Sequence, residues 1–259
     1  EIASCTDPGM VRSHNEDSIA SDPANGLVVL ADGMGGYNAG EVASGMATTV
    51  ITTEIQQLLA KTQPYELDEE TKAPLAARMI REQVLKANTS IYQAAQSQPQ
   101  YAGMGTTLVV AVFRAGRLLL GHVGDSRAYR WRGGRLSQIT RDHSLLQEQI
   151  DSGLITPEQA KHAQHKNLVT RALGIEAIVP ADIVEYRVEA DDIYLLNSDG
   201  LTDMVEPDGQ PNAANTPIAV TLPMSRNGGT SEEFIVRKPT AVVMLVRNTG
   251  TMLLWMLST

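Results

Sequence analysis

The apolar positions of the chain alternate between short continuous runs and longer periodic stretches. The run at 26–31 is followed by Asp32-Gly33, which predicts a buried strand that ends in a turn. Residues 41–60 repeat apolar positions with helical spacing, and a second such stretch is opened by Pro74. The first half of the chain is therefore predicted to contain a strand and then two long helices.

The second half contains closely spaced apolar runs. Residues 106–113, 118–123 and 126–131 predict three strands, separated by turn-forming Ala115-Gly116 and, after the third, by Gly133-Gly134. Such short connections indicate antiparallel hairpins, since a parallel crossover needs about a dozen residues. Two short helices are predicted over 144–165, with Thr156 as N-cap and Pro157 at N1, and another strand over 193–196. We expect an α+β fold with antiparallel sheets.

Composition and charge narrow the functional classes. The 259 residues are 42% hydrophobic and 20% charged, which is typical of a soluble globular protein. The formal net charge of −9 disfavours nucleic-acid binding, which needs clustered Lys and Arg. Residues 206–259 carry four acidic and four basic residues, so the negative charge lies in residues 1–205.

Cysteine use and hydropathy suggest the compartment. Cys5 is the one cysteine, so neither an intrachain disulfide nor a Cys-based zinc site can form. No signal peptide is recognisable, and the apolar stretch 240–257 is interrupted by Arg247 and Asn248. We therefore expect a cytoplasmic protein that does not contact a membrane.

Three aspartates share one sequence context. Asp32, Asp125 and Asp199 each follow an apolar strand and lie next to a glycine or a small residue. One Asp-Gly pair is a common turn, but three in matching contexts, with Asp17 ahead of the first strand, suggest converging carboxylates. Converging carboxylates repel one another unless a cation lies between them. Oxygen ligands suit Mg²⁺ or Mn²⁺, and two such ions about 4 Å apart can activate a water for phosphate-ester hydrolysis. Arg12 is a candidate for holding the phosphate.

The sequence motifs of other enzyme classes are incomplete or absent. The glycines of 33–36 lack dinucleotide-binding spacing, and no P-loop sequence occurs. Arg141-Asp142-His143 lacks the partners of a kinase catalytic loop, and we interpret it as a solvated strand-to-helix turn. His162 and His165 are interpreted as surface residues, and neither a serine elbow nor an activated cysteine is recognisable. Attack by a metal-activated water is therefore favoured over covalent catalysis.

Five segments, in order along the chain, match one family. They are Arg12-Ser-His-Asn-Glu-Asp17, Val29-Leu-Ala-Asp-Gly-Met-Gly-Gly36, Gly105-Thr-Thr107, Gly121-His-Val-Gly-Asp-Ser-Arg-Ala128 and Asn197-Ser-Asp-Gly-Leu-Thr-Asp203. With them the chain resembles the bacterial branch of the PP2C-type (PPM) metal-dependent protein serine/threonine phosphatases. The resemblance implies an α-β-β-α sandwich of two antiparallel sheets flanked by helix pairs.

The resemblance also implies roles for individual residues. Arg12 would bind the phosphate and, with Asp32, is assigned to catalysis, while residues 144–165 would form a flap beside the site. Two Mn²⁺ or Mg²⁺ ions, and a weaker third, would be held by ligands on both sheets. The implied ligands are Asp17, Asp32, the carbonyl of Gly33 and Asp199, with Asp125 at the third ion and Glu16 supporting a water.

The sequence departs from the family at two places. Met34 stands where animal members carry a histidine acid, as is usual in the bacterial branch. Near the C-terminus, Gly228-Gly229 is followed by Thr-Ser-Glu-Glu-Phe instead of the Asp that completes the family's metal site. Glu232 or Glu233 could replace it only in a rearranged loop. We expect one phosphatase domain over 1–259 in which 206–259 departs from the family pattern, and one hypothesis is that a frame change altered this ending.

Three functions follow from these observations. The first is hydrolysis of phosphoserine and phosphothreonine in proteins, opposing a cognate Ser/Thr kinase, by a monomer. The second is a catalytically impaired regulator that binds phosphoproteins or a kinase, motivated by the missing C-terminal Asp. The third is a phosphatase for small molecules, which the open glycine-rich surroundings of Asp32 disfavour.

Overall fold

Two antiparallel β-sheets and two long helices form the framework of the chain. The computed structural model describes residues 1–8, 14–36, 39–61, 75–160, 163 and 168–202, and the backbone of 243–247. The strands in these ranges are β1 (Ile2–Cys5), β2 (Asp17–Asp22), β3 (Leu27–Met34), β4 (Gly105–Thr106), β5 (Leu108–Arg114), β6 (Arg117–Val123), β7 (Arg127–Arg132), β8 (Arg135–Gln138), β9 (Asp182–Arg187), β10 (Ile193–Asn197) and β11 (Val243–Arg247). The α-helices are α1 (Ala39–Leu59), α2 (Leu75–Ser97), α3 (Leu145–Asp151), α4 (Pro157–Ala160) and α5 (Asp199–Thr202).

The strands form two sheets. Sheet I has the order β1-β11-β10-β7-β8, and sheet II has the order β2-β3-β5-β6-β9, with β4 paired to β3. Every strand pair is antiparallel, as the short connections predict. The hairpins lie where turns are predicted: Ala115-Gly116 joins β5 to β6 and Gly133-Gly134 joins β7 to β8, with positive φ at all four residues. Paired positive φ values suit the right-handed twist of the flanking strands.

Alternation along the strands divides the core into two layers. On β3, Val28 and Leu30 pack with Tyr194 and Leu196 of sheet I, so the two sheets face each other. The alternate positions of β3 pack with apolar residues of α1 and α2 on the outer face of sheet II. The predicted two-sheet sandwich is confirmed, with α1 and α2 as the helix pair on one side. The other helices of the described ranges are no longer than seven residues.

The two predicted short helices, α3 and α4, are present, and each has an N-cap. Ser144 Oγ accepts a hydrogen bond from Gln147 N at the start of α3. Thr156 Oγ1 accepts one from Gln159 N, whose side chain accepts one from Thr156 N, so this N-cap prediction is confirmed as a reciprocal cap of α4.

The C-terminal strand β11 lies between β1 and β10, where Leu245 pairs with both Ala3 and Leu195. Residues 203–242 and 248–259, including Gly228-Gly229, Glu232 and Glu233, lie outside the described residues. In the part of the chain that is described, no helix combines the length and apolar character needed to cross a bilayer.

Candidate metal centre

The four predicted aspartates come to one end of the sandwich. Asp17 opens β2 and pairs in register with Asp32 near the end of β3. Because β3 and β6 are both antiparallel to β5, they run in the same direction, and Asp125 directly beyond β6 lies at the same edge. Asp199 follows β10 of sheet I and begins α5. Both sheets therefore contribute carboxylates to one site.

The electrostatics show that these carboxylates interact. Burial, followed by the charges of Asp17 and Asp199, raises the pKa of Asp32 well above its usual range, and a hydrogen bond with Asp17 acts in the same direction. Burial and the charge of Asp199 raise the pKa of Asp125 to about 7. Each of these carboxylates therefore disfavours the ionised form of its neighbours. Its donors are carboxylate and carbonyl oxygens, which fit a hard divalent cation such as Mg²⁺ or Mn²⁺.

Two threonines fix the backbone of Asp32. Thr107 Oγ1 accepts a hydrogen bond from Asp32 N at 3.0 Å, and Thr107 N donates to Asp32 O at 2.9 Å. Thr106 Oγ1 donates to the same carbonyl at 2.9 Å. Thr107 Oγ1 also lies 2.7 Å from Ser126 Oγ, so one buried hydroxyl connects the Asp32 strand to the segment after Asp125. The Gly105-Thr-Thr107 segment belongs to the family resemblance, but its sequence alone assigned it no role.

Gly33 is required by close packing against helix α1. A Cβ on Gly33 would lie 2.0 Å from the carbonyl oxygen of Gly40. Gly33 N donates to Glu16 O at 3.0 Å, and Ser44 Oγ donates to the same carbonyl at 2.6 Å. Glu16 is thereby held beside Gly33, and its Oε1 lies 2.6 Å from where a Cβ of Gly40 would be.

A contact between the two sheets orients Asp17. Ser198 Oγ of sheet I donates to Asp17 Oδ2 at 3.1 Å, and Asn15 Oδ1 accepts from Asp17 N at 3.0 Å. The sequence does not predict that Ser198 orients Asp17. The two residues are 181 positions apart, and nothing in the sequence near either one indicates the contact.

The interpretation of residues 141–143 as a solvated turn is wrong for two of its three residues. Arg141 is exposed, but Asp142 and His143 are packed inside. Asp142 accepts hydrogen bonds from Nε and Nη2 of Arg127, and His143 lies against Gly124. Their partners are 15 and 19 residues away, so the polar local sequence indicated solvent where the fold provides buried partners.

Other predicted residues lie outside the described ranges. Arg12, His162 and His165 are among them, so their predicted positions are not assessed by the structure. Within the described ranges, the structure brings together Asp17, Asp32, Gly33, Asp125 and Asp199.

Comparisons with known proteins identify the family and agree with this fold. The sequence pattern of the protein phosphatase 2C family matches residues 11–222. The serine/threonine phosphatase stp of Listeria welshimeri is 36% identical over 203 residues, which are 77% of either chain. The crystal structure of the serine/threonine phosphatase Stp1 from Staphylococcus aureus is 31% identical, with a TM-score of 0.74, over 96% of this chain and 95% of that one. The catalytic domain of the phosphatase PstP, crystallised with two manganese ions, is 29% identical with a TM-score of 0.68, over 96% of this chain and 98% of that one.

The chain belongs to the protein phosphatase 2C family. It is a metal-dependent protein serine/threonine phosphatase with the two-sheet fold of its bacterial relatives.

Proposed function

We propose that Asp17, Asp32, Asp199 and the carbonyl of Gly33 hold two Mn²⁺ or Mg²⁺ ions, and that Asp125 helps to hold a weaker third. The observation that supports this most is the convergence of four carboxylates from two sheets, whose charges add to burial in raising the pKa of Asp32. Such a group needs external positive charge to be fully ionised at neutral pH.

Each residue of the site then has a separate role in phosphate-ester hydrolysis. When bound, the cations supply Lewis-acid polarisation of the phosphate and activation of a water. Asp32 lies between Asp17 and the threonines, so its rigid backbone fixes the direction of its carboxylate. Glu16, beside Gly33, would hold a water by a hydrogen bond. Arg12 would bind the substrate phosphate through bidentate hydrogen bonds. Met34 cannot donate a proton, so the departing serine or threonine oxygen takes its proton from water.

The substrates are proposed to be phosphorylated proteins. Asp32, Asp125 and Asp199 are all partly exposed, which suits a site that receives a phosphorylated side chain of another protein. We further propose that a cognate Ser/Thr kinase produces these substrates, and that the protein acts as a monomer in the cytoplasm. The alternative of a catalytically impaired regulator finds no support in the relatives, which are named phosphatases.

The test is phosphate release from a phosphothreonine peptide by the full chain. Activity should be lost with a chelator and restored by Mn²⁺ or Mg²⁺, and half-maximal concentrations of the two metals would rank them. Asp22→Asn is a matched control, because Asp22 lies at the opposite end of β2 from Asp17. It should leave the metal requirement unchanged. Absence of activity in the wild type across millimolar Mn²⁺ would contradict the proposal.

A further inference from the structure

Two histidines lie directly behind the segment that carries Asp125. The rings of His122 and His143 stack with centroids 4.5 Å apart, and the residues are only 3% and 6% exposed. Asp182 of β9 lies beside them, with Oδ2 3.2 Å from His143 Nε2. The function proposed above uses none of these three residues.

Hydrogen bonding argues against a metal site in this cluster, although its ligand atoms lie close together. The Gly124 amide donates to His143 Nδ1 at 3.0 Å, which occupies that lone pair. His122 Nε2 lies 2.8 Å from the Gly124 carbonyl and must therefore carry a proton. The Arg171 guanidinium lies 3.0 Å from His143 Nε2 and 3.1 Å from Asp182 Oδ1, where a cation would be repelled.

The same contacts determine the tautomer of His143. The Gly124 amide can only donate, so Nδ1 is the acceptor and the proton of the neutral ring is on Nε2, beside the Asp182 carboxylate; the nearby Arg171 Nη1 donates to Asp182 Oδ1. Burial lowers the pKa of His143, as a neutral ring requires. Asp182 therefore orients the imidazole, and the imidazole orients the Gly124 amide.

The peptide groups of Gly124 are held from several sides. Its carbonyl accepts hydrogen bonds from His122 Nε2 and from the backbone of His143, both at 2.8 Å. Its φ of +100° favours glycine, and a Cβ would lie 2.7 Å from Thr107 Cγ2. The residue immediately before Asp125 thus has one allowed position, and His143 supplies two of its hydrogen bonds.

We propose that His143 is a positioning residue: by accepting the Gly124 amide at Nδ1, it sets the direction from which the Asp125 carboxylate enters the metal site. The proposal rests on the proposed function, because Asp125 is assigned there to a metal ion. Precise placement of a ligand by an outer hydrogen bond affects metal affinity about 10–100-fold in metalloenzymes.

Two variants of the full chain separate the two hydrogen bonds of the ring. His143→Asn keeps an acceptor near the position of Nδ1 and loses the donor to Asp182. His143→Gln keeps a donor near the position of Nε2 and loses the acceptor for Gly124. We expect the Gly124 amide of the metal-free protein to stay protected from hydrogen exchange in His143→Asn and to lose protection in His143→Gln, as measured by NMR.

The Mn²⁺ requirement gives a second measurement. The concentration for half-maximal hydrolysis of p-nitrophenyl phosphate should rise about 10-fold in His143→Gln and much less in His143→Asn. Asp125→Asn serves as the reference. If it raises the requirement while His143→Gln does not, the inference is overturned and the proposed function stands. If Asp125→Asn leaves the requirement unchanged, the metal assignment of Asp125 is overturned.

The wild type provides a test that needs no variant. At pH 7, the ¹⁵N shifts of His143 in the metal-free protein should show a neutral ring with its proton on Nε2. A proton on Nδ1, or a doubly protonated ring, would overturn the inference even if both variants failed to fold.

Discussion

Strand β10 has an aspartate close to each of its ends, and the two aspartates differ in the charges that surround them. Before the strand, Asp192 is fully buried and accepts hydrogen bonds from Arg132 Nε at 2.7 Å and Nη2 at 2.6 Å. Tyr194 Oη and Glu189 N also donate to it. Burial alone would raise the pKa of Asp192, but the hydrogen bonds, led by that of Arg132, hold it below its usual range.

After the strand, Asp199 faces other carboxylates. Its charge contributes to raising the pKa of both Asp32 and Asp125. Arg127 is close enough to lower the pKa of Asp125, but its guanidinium is bound to Asp142. The difference separates two kinds of acid: Arg132 supplies a cation for Asp192, whereas Asp199 raises the pKa of neighbouring carboxylates and is proposed to hold ions from solution.

The largest effect is expected for Asp32→Asn at the functional end. Removing this charge should lower kcat on the order of 10³-fold, because metal ions contribute several kcal/mol of transition-state stabilisation. The metal-free variant should be at least as stable as the wild type, since one repelling carboxylate is gone. Phosphate release and thermal unfolding without metal would measure both, and near-normal activity would refute the assignment of Asp32.

At the structural end, Arg132→Leu should reduce stability and leave the metal requirement unchanged. It leaves the buried Asp192 without its cation, which typically costs about 3–5 kcal/mol. The folded-state pKa of Asp192 is lowered, so its contribution to stability is present above about pH 4 and is lost as the pH falls further. The stability difference from the wild type should therefore be largest above about pH 5 and narrow in acid. Urea unfolding at several pH values would show this, and a pH-independent difference would contradict it.

Thr107→Val tests how rigidly the functional end is built. The variant has nearly the same shape but removes the acceptor of Asp32 N and the contact with Ser126. Leaving a buried amide unpaired costs about 1–3 kcal/mol, and the Mn²⁺ requirement should rise about 10-fold. Thr107→Ser retains the hydroxyl and is the matched control. If both variants behaved alike in metal titration, the hydroxyl would have no part in placing Asp32.

The smallest effect is expected for Arg117→Leu, an exposed counterpart of Arg132→Leu. Arg117 Nη1 pairs with Glu185 Oε1 at 2.5 Å, and the two side chains are 53% and 29% exposed. Exposed ion pairs contribute about 0–1 kcal/mol. If urea unfolding showed that Arg117→Leu lowers the free energy of unfolding as much as Arg132→Leu does, burial would not explain the difference between the two ion pairs.

Sequence patterns predicted the main elements of the core and the strand ends before Asp125 and Asp199. At Asp32-Gly33 the predicted turn is wrong, because β3 continues to Met34 by pairing with β4. The strands β1, β2, β8 and β9 were not predicted, because most of their residues are at least partly exposed and none has a continuous apolar run. The hydrogen bonds that hold the site residues in place could not be predicted from the sequence either. Thr107 and Asp32 are 75 residues apart, and the polar sequence around His143 resembles that of a solvated turn. Such contacts exist only once the two sheets and their loops are assembled.

We propose that the acidic end of the sandwich is a divalent-cation site. Calorimetric titration of Mn²⁺ into the metal-free full chain tests it most directly, with Asp32→Asn and Arg132→Leu measured alongside. We expect at least two bound ions in the wild type and in Arg132→Leu, and fewer or more weakly bound ions in Asp32→Asn. Binding by Asp32→Asn with the stoichiometry and affinity of the wild type would contradict it.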